Sequence, residues 1–207
     1  MSTPPLPQDV LDAFHATTGF MPDDEGQALY EAAASARPGT WLEIGTYCGK
    51  STQLLAHAAR RVGSRLVTVD HHHGSEENQP GWEWHDTSMV DEHSGLLDTL
   101  PAFRRTWDEH VKDVVSIVVA TTAQVATWWR TPVEFLFLDG NHVEEMAQHD
   151  YAAFAPHVSV GGLLAVHDVF PDPADGGQAP WHVVERALGD GFEQVSQTGS
   201  LRILRRR

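Results

Sequence analysis

The chain has 207 residues, enough for one domain with a full core, and its 29 acidic against 14 basic side chains give a formal net charge of -15. That balance argues against nucleic acid and anionic membrane as partners, since both need positive surface. A single cysteine, Cys48, excludes an intramolecular disulfide framework and fits a reducing, cytoplasmic setting. No apolar run approaches the ~20 residues of a membrane span, and M-S-T-P-P-L-P does not read as a signal peptide.

Residues 1–39 read as an N-terminal helical lid, with helices over Val10–Thr17 and Glu25–Ala36. Asp23 or Asp24 is expected to cap the second, and Arg37-Pro38-Gly39 to end it. From Thr40 strands and helices alternate. Strand Thr40–Ile44 leads into helix Ser51–Arg61, and strand Leu66–Val69 closes on Asp70 before a long polar loop, 71–95. A helix near Leu97–Glu109 precedes strand Val115–Val119. A helix near Gln124–Trp129 precedes strand Val133–Leu138, which closes on Asp139. Helix Val143–Phe154 is followed by strand Gly162–Val166, closing on His167-Asp168. A helix near Trp181–Leu188 and a hairpin, Glu193–Gln197 with Leu201–Leu204, complete the chain. Five near-continuous apolar strands separated by helices predict an α/β domain with a parallel sheet covered on both faces. Ligands of such sheets bind beyond the carboxyl ends of the strands, where the order reverses. Glu43, Asp70, Asp139, His167 and Asp168 all fall at those ends.

The glycine turn Glu43-Ile44-Gly45-Thr46-Tyr47-Cys48-Gly49 lacks the third glycine of the dinucleotide fingerprint, and its acid is unwelcome beside a pyrophosphate. This counts against a nicotinamide-dependent oxidoreductase, the rival from another class. Glu43 suits an ammonium or hydroxyl, unless it only caps local N–H groups. Asp70 suits a ribose diol. An amino-acid-bearing nucleoside without phosphates satisfies both, and S-adenosylmethionine is such a molecule.

The run E-I-G-T-Y-C-G-K-S resembles the first motif of class I S-adenosylmethionine-dependent methyltransferases, and especially the metal-dependent catechol O-methyltransferase-like branch. The resemblance extends from Thr40 to about Val169. It implies a single-domain, Rossmann-like fold over 40–207, with a seven-stranded, mostly parallel sheet and a C-terminal antiparallel hairpin. It implies that Glu43, Gly45 and Ser51 hold the methionine moiety and that Asp70, with His71 beside it, holds the ribose side. Ala120 and Thr121 would lie along the adenine.

A hydroxyl acceptor must lose its proton, and a divalent metal lowers its pKa. Asp139, His167 and Asp168 are three candidate ligands at neighbouring strand ends. In catechol-type enzymes the matching positions, an Asp and an Asp-Asn pair, bind magnesium. His167 departs from that pattern and admits manganese or zinc beside the expected magnesium. His142 stands where the branch places a lysine base, three residues after the metal-binding Asp. It is the candidate general base, with Asp139 a second one. The competing reading is that Asn141-His142 only cap the helix at Val143.

Loop 71–95 is placed on the substrate side. Adjacent His71-His72-His73 lack zinc-site spacing, so His72 and His73 are expected to be solvated. Trp82, Trp84 and His85, with Trp181 and His182, suit either a saccharide wall or a homodimer contact. V-D-H-H-H-G-S-E-E-N-Q-P-G-W-E-W-H-D and H-D-V-F-P-D-P-A-D-G-G resemble an actinobacterial group of sugar methyltransferases that includes methylmannose polysaccharide 1-O-methyltransferases. That resemblance implies a small 3-O-methylated mannoside as acceptor. A phenolic or other natural-product hydroxyl is the alternative, and a non-catalytic cofactor-binding partner protein a further one.

Overall fold

A computed structural model describes residues 5–75, 78–79, 81 and 86–207. Helices α1 (Gln8–Ala16) and α2 (Asp23–Ser35) precede β1 (Thr40–Ile44), α3 (Lys50–Val62), β2 (Arg65–Asp70), α4 (Leu100–Thr106), β3 (Val115–Val119) and α5 (Thr122–Ala126). Next come β4 (Val133–Leu138), α6 (Glu144–Phe154), β5 (Val158–Val166), α7 (Ala179–Gly189), β6 (Phe192–Thr198) and β7 (Leu201–Arg206). The strands form one seven-stranded sheet in the order β3-β2-β1-β4-β5-β7-β6. β1 to β5 are parallel, and β7 runs antiparallel to both β5 and β6. This is the expected α/β, Rossmann-like architecture with its C-terminal hairpin.

The apolar strands are continuous because each faces two cores. On β4, Phe135 and Phe137 join Trp41, Leu54 and Leu55 under α1, α2 and α3. Leu136 and Leu138 join Leu42, Ile44, Tyr151 and Val184 under α6 and α7. Alternation of side chains along a strand delivers successive residues to opposite faces, so neither face tolerates a polar run. The N-terminal helices share the first of these cores through Phe14, Leu29, Tyr30 and Ala33. No helix among the described residues is long and apolar enough to cross a membrane.

Boundaries differ from expectation in a few places, each for a local reason. The N-cap position of α2 is Pro22, with no side-chain cap; Asp24 instead accepts the N–H of Glu25, and Asp23 pairs with His15. α4 starts only at Leu100, next to Pro101, and its end widens into a π turn over Trp107–Val111. α5 starts earlier and is shorter than expected, because Thr121 and Gln124 form a reciprocal capping box. The expectations for Trp82, Trp84 and His85 lie outside the described residues.

The order reverses between β1 and β4, which are direct neighbours. The chain therefore leaves the two central strands in opposite directions, and a crevice opens between the loops that follow them.

Candidate active site

The turn after β1 is shaped by close backbone passage. Gly45 has φ +89°, and a Cβ there would lie 2.1 Å from the carbonyl oxygen of Asp139. Glycine is thus required by the end of β4, not only by a ligand. Tyr47 also takes a left-handed φ of +49°. Asp70 holds this turn: one carboxylate oxygen accepts the N–H groups of Thr46 at 2.8 Å and Tyr47 at 2.9 Å, and the other accepts that of His72 at 2.7 Å. Asp70 still borders the crevice, but much of its acceptor capacity is spent on its own backbone.

Glu43 is fully buried on the α3 face of β1 and is not part of the crevice wall. Its two oxygens accept the hydroxyls of Ser51 and Thr52, each at 2.7 Å. Burial pushes its carboxyl up to about 7 against the opposing hydroxyl bonds. The expected direct contact of Glu43 with an ammonium is therefore not what the geometry offers. Glu43 fixes Ser51, and Ser51 faces the crevice.

The crevice is a cavity of about 690 Å³, within the range of roughly 300–1,000 Å³ typical of small-molecule sites. Gly45, Ser51, Asp70, His71, Ala120, Thr121, Asp139, His142, His167 and Asp168 all border it. Thr18–Met21, the link between α1 and α2, covers one side, and Phe170 with 175–177 covers another. Of the expected aromatic wall, Trp181 packs against the core beside α6 and His182 pairs with Glu144 at 2.8 Å; neither borders the cavity. His73 is exposed as expected, but His72 is not. Its ring is buried, stacks on Phe103, and lies 2.8 Å from the Thr99 hydroxyl.

Beside the glycine turn, the acids and histidines after β4 and β5 meet. Ligand atoms of Asp139, His142 and Asp168 lie within 4.8 Å of one another. Asp168 adopts φ +53°, a strained conformation for a non-glycine residue. This brings its Oδ2 to 3.2 Å from His142 Nε2 and 3.4 Å from His167 Nδ1. Burial raises the Asp168 carboxyl, but hydrogen bonds and charge from the two histidines outweigh it and hold the group well below the usual carboxylate range. Asn141 accepts the N–H of Val143 at 2.7 Å in the turn before α6, which has no side-chain cap, and His142 lies on the cavity wall.

His167, the remaining expected ligand, contacts carboxylates through both ring nitrogens. It is 4 % exposed, with Nε2 2.5 Å from Glu25 Oε2 and Nδ1 3.1 Å from Asp139 Oδ1. Burial disfavours its charged form, yet the Asp139 charge and the bonds to Asp139, Asp168 and Glu25 raise it far above the ordinary histidine range. Asp139, His142 and Asp168 form a metal-competent trio, and Nδ1 of His167 lies beside it. Sequence reasoning missed Glu25 altogether. A signal was present: Glu25, Leu29 and Ala33 form the buried i, i+4, i+8 stripe of α2, and an acid on such a stripe needs a buried partner.

The Methyltransferase domain family model matches residues 42–169, which runs from the middle of β1 to just past the Asp168 turn. Among solved structures, the O-methyltransferase NovP superposes with a TM-score of 0.67 at 18% identity, covering 88% of this chain and 79% of that one. An O-methyltransferase from Bacillus cereus in complex with SAH gives 0.58 at 16% identity, covering 96% and 90%. TomG from Streptomyces achromogenes, in complex with SAM, gives 0.59 at 17% identity, covering 96% and 87%. At these identities the likeness is one of fold. The family match covers the glycine turn, Asp70, Asp139, His142 and Asp168 together, and the chain belongs to the methyltransferase-domain family.

Proposed function

We propose that this chain is an S-adenosylmethionine-dependent O-methyltransferase acting on a sugar hydroxyl. The observation that carries the reading is the joining, in one cavity, of the glycine-turn edge with the Asp139–His142–Asp168 cluster. The wall after β1 and β2 offers Ser51 and Asp70 to an amino acid and a ribose. The wall after β4 and β5 offers His142 as a base for an acceptor hydroxyl.

In the reaction, the acceptor oxygen attacks the donor's methyl carbon in line, the sulfonium–methyl bond breaks, and the electron pair stays on sulfur as a neutral thioether. The acceptor proton passes to His142. Asp168, kept ionised by its histidine neighbours, orients the His142 ring and stabilises its charged form after transfer. The walls from Thr18–Met21 and Phe170 keep bulk water from the transferring methyl.

The residues fit a divalent cation: two carboxylates and an imidazole, Asp139, Asp168 and His142, offer ligand atoms in one cluster. Such an ion, when bound, lowers the pKa of a hydroxyl it holds. The same clustering favours a second reading in which His142 is a ligand and not the base.

For the acceptor, the resemblance to the actinobacterial sugar-methylating group supports the 1-hydroxyl of a short 3-O-methylated mannoside. The test is calorimetric binding of S-adenosylhomocysteine, followed by methyl transfer to a 3-O-methylated mannose oligosaccharide and to a catechol. Donor binding with transfer to the mannoside is expected. Transfer to the catechol alone overturns the sugar assignment, and failure to bind the donor product overturns the whole reading.

A further inference from the structure

We propose that His167 is a positioning residue: together with Glu25, which lies behind the cavity wall, it holds Asp139 in place. Two separate observations carry this inference, which rests on the proposed function only for what Asp139 does.

The first is the commitment of the ring. A carboxylate oxygen accepts hydrogen bonds and does not donate them. Nε2 faces Glu25 Oε2 at 2.5 Å, and Nδ1 faces Asp139 Oδ1 at 3.1 Å and Asp168 Oδ2 at 3.4 Å. Both nitrogens are therefore held against carboxylate oxygens, and the ring bridges Glu25 to Asp139.

The second is the seat built for Glu25. Its side chain comes from α2, 142 residues before His167. It also accepts the Ser200 N–H at 2.5 Å and the Ser200 hydroxyl at 3.2 Å. In the β6–β7 turn, Gly199 has φ +49°, and a Cβ there would lie 2.1 Å from Glu25 Oε1. The hairpin is thus shaped around this carboxylate, at 4 % exposure and away from the cavity wall. One buried acid ties α2, the end of β5 and the C-terminal hairpin to Asp139. The plane of the Asp139 carboxyl is set by that chain.

The test compares Glu25→Gln and His167→Gln with the unaltered protein. In proton NMR of the ligand-free protein, a strongly downfield, slowly exchanging imidazole N–H signal is expected. It should vanish in His167→Gln and move upfield in Glu25→Gln; persistence of the signal in His167→Gln overturns the inference. With Mn²⁺ as probe, nitrogen coupling in the electron spin echo should be the same in His167→Gln as in the unaltered protein. Its loss in that variant alone makes His167 a ligand and overturns the inference. On the mannoside, kcat of Glu25→Gln should fall about tenfold or more with KM within about threefold. A kcat equal to that of the unaltered protein overturns the positioning role. Glu25→Gln is isosteric, so it keeps the test decisive if His167→Gln does not fold. If S-adenosylhomocysteine does not bind the unaltered protein, the proposed function fails, and the NMR signal still decides the inference.

Discussion

His142 Nε2 lies 3.2 Å from Oδ2 of Asp168, and Asp168 reaches it only by holding a left-handed backbone at φ +53°. Such a conformation costs a β-carbon-bearing residue on the order of 1–3 kcal/mol, and it persists where surrounding structure imposes it. Here hydrogen bonds from two histidines impose it, and they keep the carboxyl ionised against its burial. The strain delivers a fixed negative charge to the edge of the His142 ring, where a base that becomes cationic gains most.

His142→Ala should therefore lower kcat by about 100-fold or more, as expected for loss of a positioned base. S-adenosylhomocysteine affinity should stay within about threefold, because the donor is given to Ser51 and Asp70, after β1 and β2, and not to His142. Steady-state kinetics and calorimetry read the two arms. Unchanged turnover would remove His142 from the reaction.

Asp139 and Asp168 are the carboxylates that would hold a divalent cation. Mn²⁺ affinity, followed by electron spin resonance, should fall by more than ~100-fold in Asp139→Asn and in Asp168→Asn. His142→Ala distinguishes its two readings: a base leaves Mn²⁺ affinity within about tenfold, whereas a ligand does not. Chelation of the metal should abolish turnover. Full activity in chelator would leave both carboxylates to proton handling and ring orientation alone.

The strand ends were legible because two periodicities agree there. Apolar runs such as V-E-F-L-F-L can only be strands buried on both faces, and the polar residue that closes each run must lie at the sheet's edge. Asp70, Asp139 and Asp168 followed from that, His142 came from the family resemblance, and all four border the cavity. Glu43 and His167 lie at strand ends, but their side-chain partners are not readable from the sequence. The sequence gives no sign that Ser51 and Thr52 both turn inward onto Glu43, and Glu25 is 142 residues from the histidine it holds. His72 was misjudged for a similar reason: its partners, Thr99 and Phe103, arrive from beyond the long loop. Contacts between distant segments leave no local pattern.

Stability should carry the signature of Glu43. Its carboxyl is raised from 4.5 to about 7 by burial, so the folded chain binds this proton more tightly than the unfolded chain. Stability from this group is thus greatest below about pH 4.5, falls as pH rises toward about 7, and is level above it. By linkage, the difference amounts to about 3 kcal/mol. Glu43→Gln keeps a hydrogen-bonding group between Ser51 and Thr52 without the buried charge. The gap between the two proteins' urea stabilities should shift in favour of the amide by about that amount from pH 4.5 to pH 7.5. A gap independent of pH would show that Glu43 titrates normally.

Two glycines provide a matched test of the turn. Gly45 and Gly63 both have left-handed φ, +89° and +76°. A Cβ at Gly63 meets nothing within 4 Å, whereas at Gly45 it would lie 2.1 Å from the Asp139 carbonyl oxygen and 2.7 Å from the Gly140 Cα. Gly63→Ala should lose only the backbone preference, about 1–2 kcal/mol. Gly45→Ala adds a collision between two backbones that neither can relieve by a rotamer change, and should lose about 3 kcal/mol or more. For a chain of this size that is a fall in Tm of roughly 6–12 °C, against roughly 2–8 °C for Gly63→Ala. Because the displaced partner is Asp139 itself, Gly45→Ala should also weaken Mn²⁺ binding, while Gly63→Ala should not. Equal melting shifts and equal Mn²⁺ affinities in the two variants would mean that the close passage of β1 past β4 does not position the site.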